Sequence, residues 1–136
     1  MNLDSWPYKW FGNWREMGRG YDSCPSIYDW IDPEEVKSYG NDLPKILNYL
    51  RSATVVVATS AIAFPNIITG QKKIGSVCYL TDGIWLWFDN LADYIEQNNV
   101  ALPRNFYEHI KRQSFIPPDA SNVNPDDLDW PPPSTK

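Results

Sequence analysis

The sequence predicts an α+β domain: a small antiparallel sheet with a central Asp-Gly hairpin, packed by three or more helices. An aromatic N-terminal arm and a proline-rich C-terminal tail flank it. Three observations lead there. Apolar runs at 77–80 and 84–88 bracket Thr81-Asp82-Gly83, a pairing of strand and turn chemistry. Residues 54–59, Thr-Val-Val-Val-Ala-Thr, form a short, charge-free, β-branched run suited to a buried strand. Around them lie segments whose apolar residues recur at helical rather than strand spacing.

In chain order, residues 1–20 carry Trp6, Tyr8, Trp10, Phe11 and Trp14, interleaved with Lys9, Arg15 and Arg19. Aromatic and basic residues in alternation can stack single-stranded nucleic acid. The acidic run that follows opposes this, and an arm packed over the domain is the favoured reading. Residues 21–42 set Asp22, Asp29, Asp32, Glu34, Glu35 and Asp42 against Lys37 alone. Within that stretch, Asp32-Pro33-Glu34-Glu35 is a helix start: Asp32 can cap, Pro33 suits the first position and Glu35 fits a capping box.

Asp42 precedes an amphipathic helix with Leu43, Ile46, Leu47 and Leu50 on one face. Turn chemistry from Phe64-Pro65-Asn66 to Thr69-Gly70 then leads through Lys72 and Lys73. A two-residue type I′ turn at Asp82-Gly83 would set Leu80 opposite Trp85 and Cys78 opposite Trp87. Tyr79 with Leu86 and Val77 with Phe88 would occupy the other face. Both faces are apolar, so the hairpin is either sandwiched, the favoured reading, or offers Trp85 and Trp87 to a partner or a second copy. Asp89 can cap a further helix with Leu91, Tyr94 and Ile95 inward. Leu102-Pro103 opens another, with Phe106, Tyr107 and Ile110 inward and Arg104, Lys111 and Arg112 outward. These elements make one domain, 1–116; residues 117–136 read by composition as a Pro/Asp-rich tail without a core of its own.

Composition narrows the function. At 136 residues the chain can bury roughly two-thirds of its unfolded surface. Seven tryptophans and eight tyrosines supply either a Trp-rich core or rings for a binding surface. A net charge of −5 argues against direct nucleic-acid binding and suits a basic protein partner. Cys24 and Cys78 form no ligand motif; one disulfide or, as favoured, two buried reduced thiols fit them. No secretory signal and no membrane span is expected, which places the protein in the cytoplasm.

Catalytic chemistry finds little to use. His109 is the single histidine, and beside Lys111 and Arg112 it reads as structural or surface rather than catalytic. The glycines match neither GxGxxG nor a P-loop. The acid pairs Glu34/Glu35 and Asp126/Asp127 are adjacent in sequence, so their side chains diverge. One His and two distant Cys are too few for a metal site. The expectation is no enzyme, no cofactor and no metal.

One stretch is similar to a known group. Leu80-Thr81-Asp82-Gly83-Ile84-Trp85-Leu86-Trp87, then Leu91-Ala92-Asp93-Tyr94, then Leu102-Pro103-Arg104-Asn105-Phe106-Tyr107-Glu108-His109-Ile110 resembles small bacterial proteins with a pattern like TDGxWxW…LxxY…LPxxFxxHI. Some of these are immunity proteins of polymorphic or contact-dependent growth-inhibition toxin systems. Val55-Val56-Val57-Ala58 and Asn66-Ile67-Ile68-Thr69-Gly70 look similar too. The resemblance spans residues 43–116; it departs after Trp87, where the group often has Pro and this chain has Phe88-Asp89. It implies an immunity protein that neutralises a cognate toxin, a nuclease domain being one option, by direct binding. The partner-binding residues are then expected in the unshared acidic region: Asp22, Tyr28, Asp29, Trp30, Asp32, Glu34, Glu35 and Tyr39, with rings as anchors and carboxylates for Arg or Lys. The alternatives are an adaptor read through Trp130-Pro131-Pro132-Pro133 in polyproline form, or a small enzyme using His109.

Overall fold

One strand, two helices, three strands and two further helices follow one another in a computed structural model that describes residues 3–18, 20–62, 65–71 and 76–131. Residues 58–62, 76 and 77 enter through their backbone only. The strands are β1 (Trp10–Phe11), β2 (Thr54–Ile62), β3 (Ser76–Thr81) and β4 (Leu86–Phe88). The helices are α1 (Pro33–Ser38), α2 (Asp42–Ser52), α3 (Leu91–Asn98) and α4 (Arg104–Arg112). This is the α+β class read from the sequence.

The sheet runs β1-β4-β3-β2. β3 lies antiparallel to β2 and β4, but β1 pairs parallel with β4, so the sheet is mixed rather than purely antiparallel. The aromatic arm is therefore an edge strand, with the Leu86 amide donating to the Lys9 carbonyl at 2.9 Å. Its rings explain why it is pulled in. Trp10, Phe11 and Trp14 are buried, and Phe11 meets Trp14 and Trp30 edge to face at 5.3 and 4.9 Å, an arrangement aromatic quadrupoles favour.

The hairpin is present in a different register. Tyr79 opposes Phe88, Leu80 opposes Trp87 and Thr81 opposes Leu86, two residues away from the type I′ pairing. That turn needs positive φ at both central residues; in this loop only Gly83 has it, at 97°. Side chains of the turn enforce the longer loop. Asp82 Oδ1 accepts from the Ile84 and Trp85 amides, and Thr81 Oγ accepts from Gly83 N while donating to the Trp85 carbonyl. A slip of two, unlike a slip of one, leaves each strand residue on its expected face.

The hairpin is sandwiched. On one face Trp87 donates its indole N–H to the Leu50 carbonyl of α2 at 3.0 Å and lies against Tyr49 and Phe106. Trp85, just before β4, stacks on Phe106 of α4 at 4.2 Å. Across the sheet Tyr79 stacks on Phe88 at 4.1 Å, and the edge of Trp130 covers Tyr79. Trp85 and Trp87 are both buried and present no open face.

α1 starts as expected, with Asp32 accepting from the Glu35 amide and Pro33 in the first position. The reciprocal half of a capping box is absent: Asp32 N donates to the Asn99 carbonyl, and the Glu35 carboxylate pairs with Arg104. α2 buries Ile46, Leu47, Tyr49 and Leu50. Asp42 is its first residue rather than the one before it, and its carboxylate accepts from the Tyr107 hydroxyl. Asp89 does not cap α3. Asn90 holds that position, without a side-chain cap bond, because the Asp89 amide continues the sheet pairing to the Cys78 carbonyl. In α4, Phe106 and Ile110 point inward as expected, Tyr107 is half-buried, and His109 joins the buried face. Asn66 organises the 66–70 turn by accepting from the Ile68 and Thr69 amides. Phe64, Lys72 and Lys73 lie outside the described residues.

The tail folds back on the domain. Ala120 and Leu128 are buried, the Ala120 amide donates to Thr54 Oγ, and Asp129 accepts from the Lys9 amide. Trp130 donates to the Pro125 carbonyl. Residues 132–133 of the proline run lie outside the described residues. No helix among the described residues is long and apolar enough to cross a membrane.

Candidate functional site

Two regions carry polar chemistry: a buried network beneath the hairpin loop and an exposed acidic surface. The network centres on Asp82, 4% exposed. Its Oδ2 accepts from the Tyr49 hydroxyl at 2.6 Å and meets His109 Nε2 at 2.8 Å, while Oδ1 takes the Ile84 and Trp85 amides at 3.0 and 2.8 Å. Three elements thus converge on one carboxylate: α2 through Tyr49, the β3–β4 loop, and α4 through His109.

Burial works to raise the Asp82 pKa, but bonds from His109, Tyr49 and the two amides outweigh it and hold the carboxyl below the usual range. Burial first, and the bond to Asp82 second, push the Tyr49 phenol far above its ordinary value, so it stays a donor. A carboxylate already taken by four donors has little capacity left for a substrate proton. His109, buried and lying beside the Trp85 ring, spends its Nε2 on this bond. The arrangement ties the β3–β4 loop to α2 and α4.

Cys24 and Cys78 both carry thiols rather than sharing a disulfide. Burial pushes the Cys24 thiol up to about 11, away from reactive thiolate. Cys78 is half-buried with Sγ 3.4 Å from Asp89 Oδ2. Among the described residues no group of three or more His, Cys, Asp or Glu is placed to hold a metal ion.

The eight residues expected to bind a partner separate into two sets. Trp30 and Tyr39 are buried, and this corrects their reading as surface anchors. Trp30 packs on Phe11 and Trp6. The Tyr39 hydroxyl accepts from the Leu102 amide, and its ring meets Tyr107 at 4.7 Å. Asp32 is committed to the α1 cap and Glu35 to Arg104, which also pairs with Asp4. Asp22, Tyr28, Asp29 and Glu34 remain exposed, and among the described residues these three acids make no ion pair.

Tyr28 is 55% exposed yet rigidly carried. It lies in a single 3₁₀ turn, Ile27–Trp30, capped by Ser26, whose flanking residues Ile27 and Trp30 are both fully buried. The Trp30 carbonyl accepts from the Ala101 amide, and Ile31 bridges to Val100. Tyr28 and Asp29 are thereby turned outward on an anchored platform. The sequence reading missed the Asp82 network; Thr81-Asp82 ahead of a loop, side chains that bind their own backbone, was the available signal. Compared with known protein families, with curated proteins and with solved structures, the chain matches none.

Proposed function

We propose that this protein is a cytoplasmic immunity protein that neutralises a basic toxin domain by stoichiometric binding, without chemistry of its own. The observation that carries the reading is the platform just described: an outward tyrosine between buried anchors, accompanied by exposed Asp22, Asp29 and Glu34. A large ring held in place loses little entropy on binding, and surrounding carboxylates steer a cationic partner. The net charge of −5 acts in the same direction. An adaptor role for the tail is the poorer fit, because Trp130 is occupied with Tyr79 and Pro125.

The test is co-expression with the C-terminal domain of the protein encoded immediately upstream, followed by co-purification and growth rescue. A salt-sensitive complex that restores growth is expected. Tyr28→Ala combined with Asp29→Ala should weaken it by about 1–3 kcal/mol, roughly ten- to a hundredfold, with the melting temperature unchanged. An active, folded toxin that forms no complex would overturn the proposal.

A further inference from the structure

Asp82-Gly83 has a second chemical property that the fold must restrain. In an Asp-Gly sequence the glycine, lacking a Cβ, lets its backbone nitrogen approach the preceding side-chain carboxyl carbon. Nitrogen attack forms a C–N bond and breaks a C–O bond. Water leaves, made of the carboxyl's hydroxyl oxygen with its proton and the amide proton, and a cyclic succinimide remains. Hydrolysis returns that water at either carbonyl, giving aspartate again or isoaspartate, whose backbone runs through the former side chain. Atoms balance without any co-reactant, and the net change is an isomerisation.

Every participant in that reaction is held in this loop. The nucleophile, Gly83 N, donates to Thr81 Oγ at 3.0 Å. The leaving oxygens are those of Asp82, bound by Tyr49, His109 and the Ile84 and Trp85 amides. Departure as water needs a protonated carboxyl, and these bonds favour the carboxylate. The carboxyl must also rotate toward its own backbone, which breaks the bonds to α2 and α4. We infer that Asp82-Gly83 is a latent isoaspartate site kept unreactive by the Tyr49–Asp82–His109 network and Thr81, so that opening of this network exposes the chain to a covalent rearrangement of its backbone. In isoaspartate the former side-chain carboxyl carbon becomes the backbone amide to Gly83, so the carboxylate that the Ile84 and Trp85 amides bind is lost from its place and the loop backbone gains a methylene.

The experiment ages the full chain in mildly acidic buffer, native and in urea, and measures isoaspartate at position 82 by enzymatic methyl-ester labelling and peptide mapping. The native protein should isomerise roughly tenfold or more slowly than the same chain unfolded, since only the locally opened population reacts. Tyr49→Phe, checked as folded by circular dichroism, should age measurably faster than the unaltered protein under native conditions. Equal rates for the native and urea-unfolded chain would overturn the inference. So would folded Tyr49→Phe ageing no faster than the native protein. Neither result touches toxin binding, which is read separately.

Discussion

Replacing Asp82 by alanine removes one acceptor from four donors at once, and the consequences can be worked through partner by partner. The Ile84 amide sits at the loop tip, where Ile84 is half-exposed, so part of its loss is recovered from water, whereas the Trp85 amide is buried. The Tyr49 hydroxyl and His109 Nε2 lie under the loop, on residues that are 0% and 6% exposed. Each buried donor left unpaired costs about 1–3 kcal/mol. Together with the lost charge-assisted bonds, Asp82→Ala should destabilise by about 4–6 kcal/mol, against a typical total of 5–15 kcal/mol. Asp82→Asn keeps an acceptor for the two amides but points an NH₂ group at Tyr49, so about 1–3 kcal/mol is expected.

The assay is urea unfolding followed by the fluorescence of the seven tryptophans and by far-ultraviolet circular dichroism. The pH dependence supplies a second readout. Asp82 is held below the ordinary aspartate value of 3.8. Its contribution is therefore fully present above that value and is lost as pH falls through the lower folded value. Asp82→Asn lacks this titration, so its stability should fall less steeply in acid than that of the unaltered protein. An Asp82→Ala variant within about 1 kcal/mol of the parent, at unchanged denaturant slope, would refute the claim that the network fixes the hairpin loop.

Other consequences follow from the same packing. Leu128→Ala opens space where the tail joins the core and should cost about 2 kcal/mol in a thermal melt, because Leu128 is buried in the core cluster; a tail without contacts would show no change. Gly12→Ala should destabilise by about 1–2 kcal/mol, since φ there is +96° and a Cβ would meet Leu91 at 3.4 Å; chemical denaturation reads it directly. Cys24, with its thiol raised to about 11, should resist a thiol-specific reagent at neutral pH until the chain unfolds, and rapid labelling in native buffer would contradict that.

Residues whose partners are close in sequence told most about the fold. The spacing of Ile46, Leu47 and Leu50 gave α2, Leu102-Pro103 gave α4, and Asp32-Pro33 gave α1, because caps and amphipathic stripes are local properties. The hairpin was legible as a hairpin, while its register depended on Thr81 and Asp82 side chains competing with the backbone. β1 could not be read: two residues, Trp10 and Phe11, pair in parallel with a strand some seventy-six positions away, and nothing local marks that. At the candidate surface, composition told which rings existed but not which way they faced. Trp30 lies three residues after Ile27, a spacing that puts both on one side of a short turn and Tyr28 on the other; that signal was present and favoured a buried Trp30.

The segment 43–116 is incomplete as a folding unit. It contains β2, β3, β4 and the helices α2, α3 and α4, yet the Tyr79–Phe88 stack on its sheet is covered by Trp130, and Tyr79 also accepts from Asn13. The outer edge of β4 is paired by the N-terminal arm. The two flanks are themselves joined through the Lys9 amide and Asp129, and the N-terminal flank is tied to α4 by the Arg104 amide, which donates to the Leu3 carbonyl. Residues 22–34, on which the proposed interface depends, are therefore fastened between the edge strand, through Trp30 against Phe11, and the α3–α4 connection, through the Asp32–Asn99 and Trp30–Ala101 bonds. A surface carried this way can change its outward residues, Tyr28, Asp29 and Glu34, without disturbing the anchors. Partner choice on such a platform would be altered by substitution at those exposed positions, whereas loss of Ile27 or Trp30 would remove the platform itself.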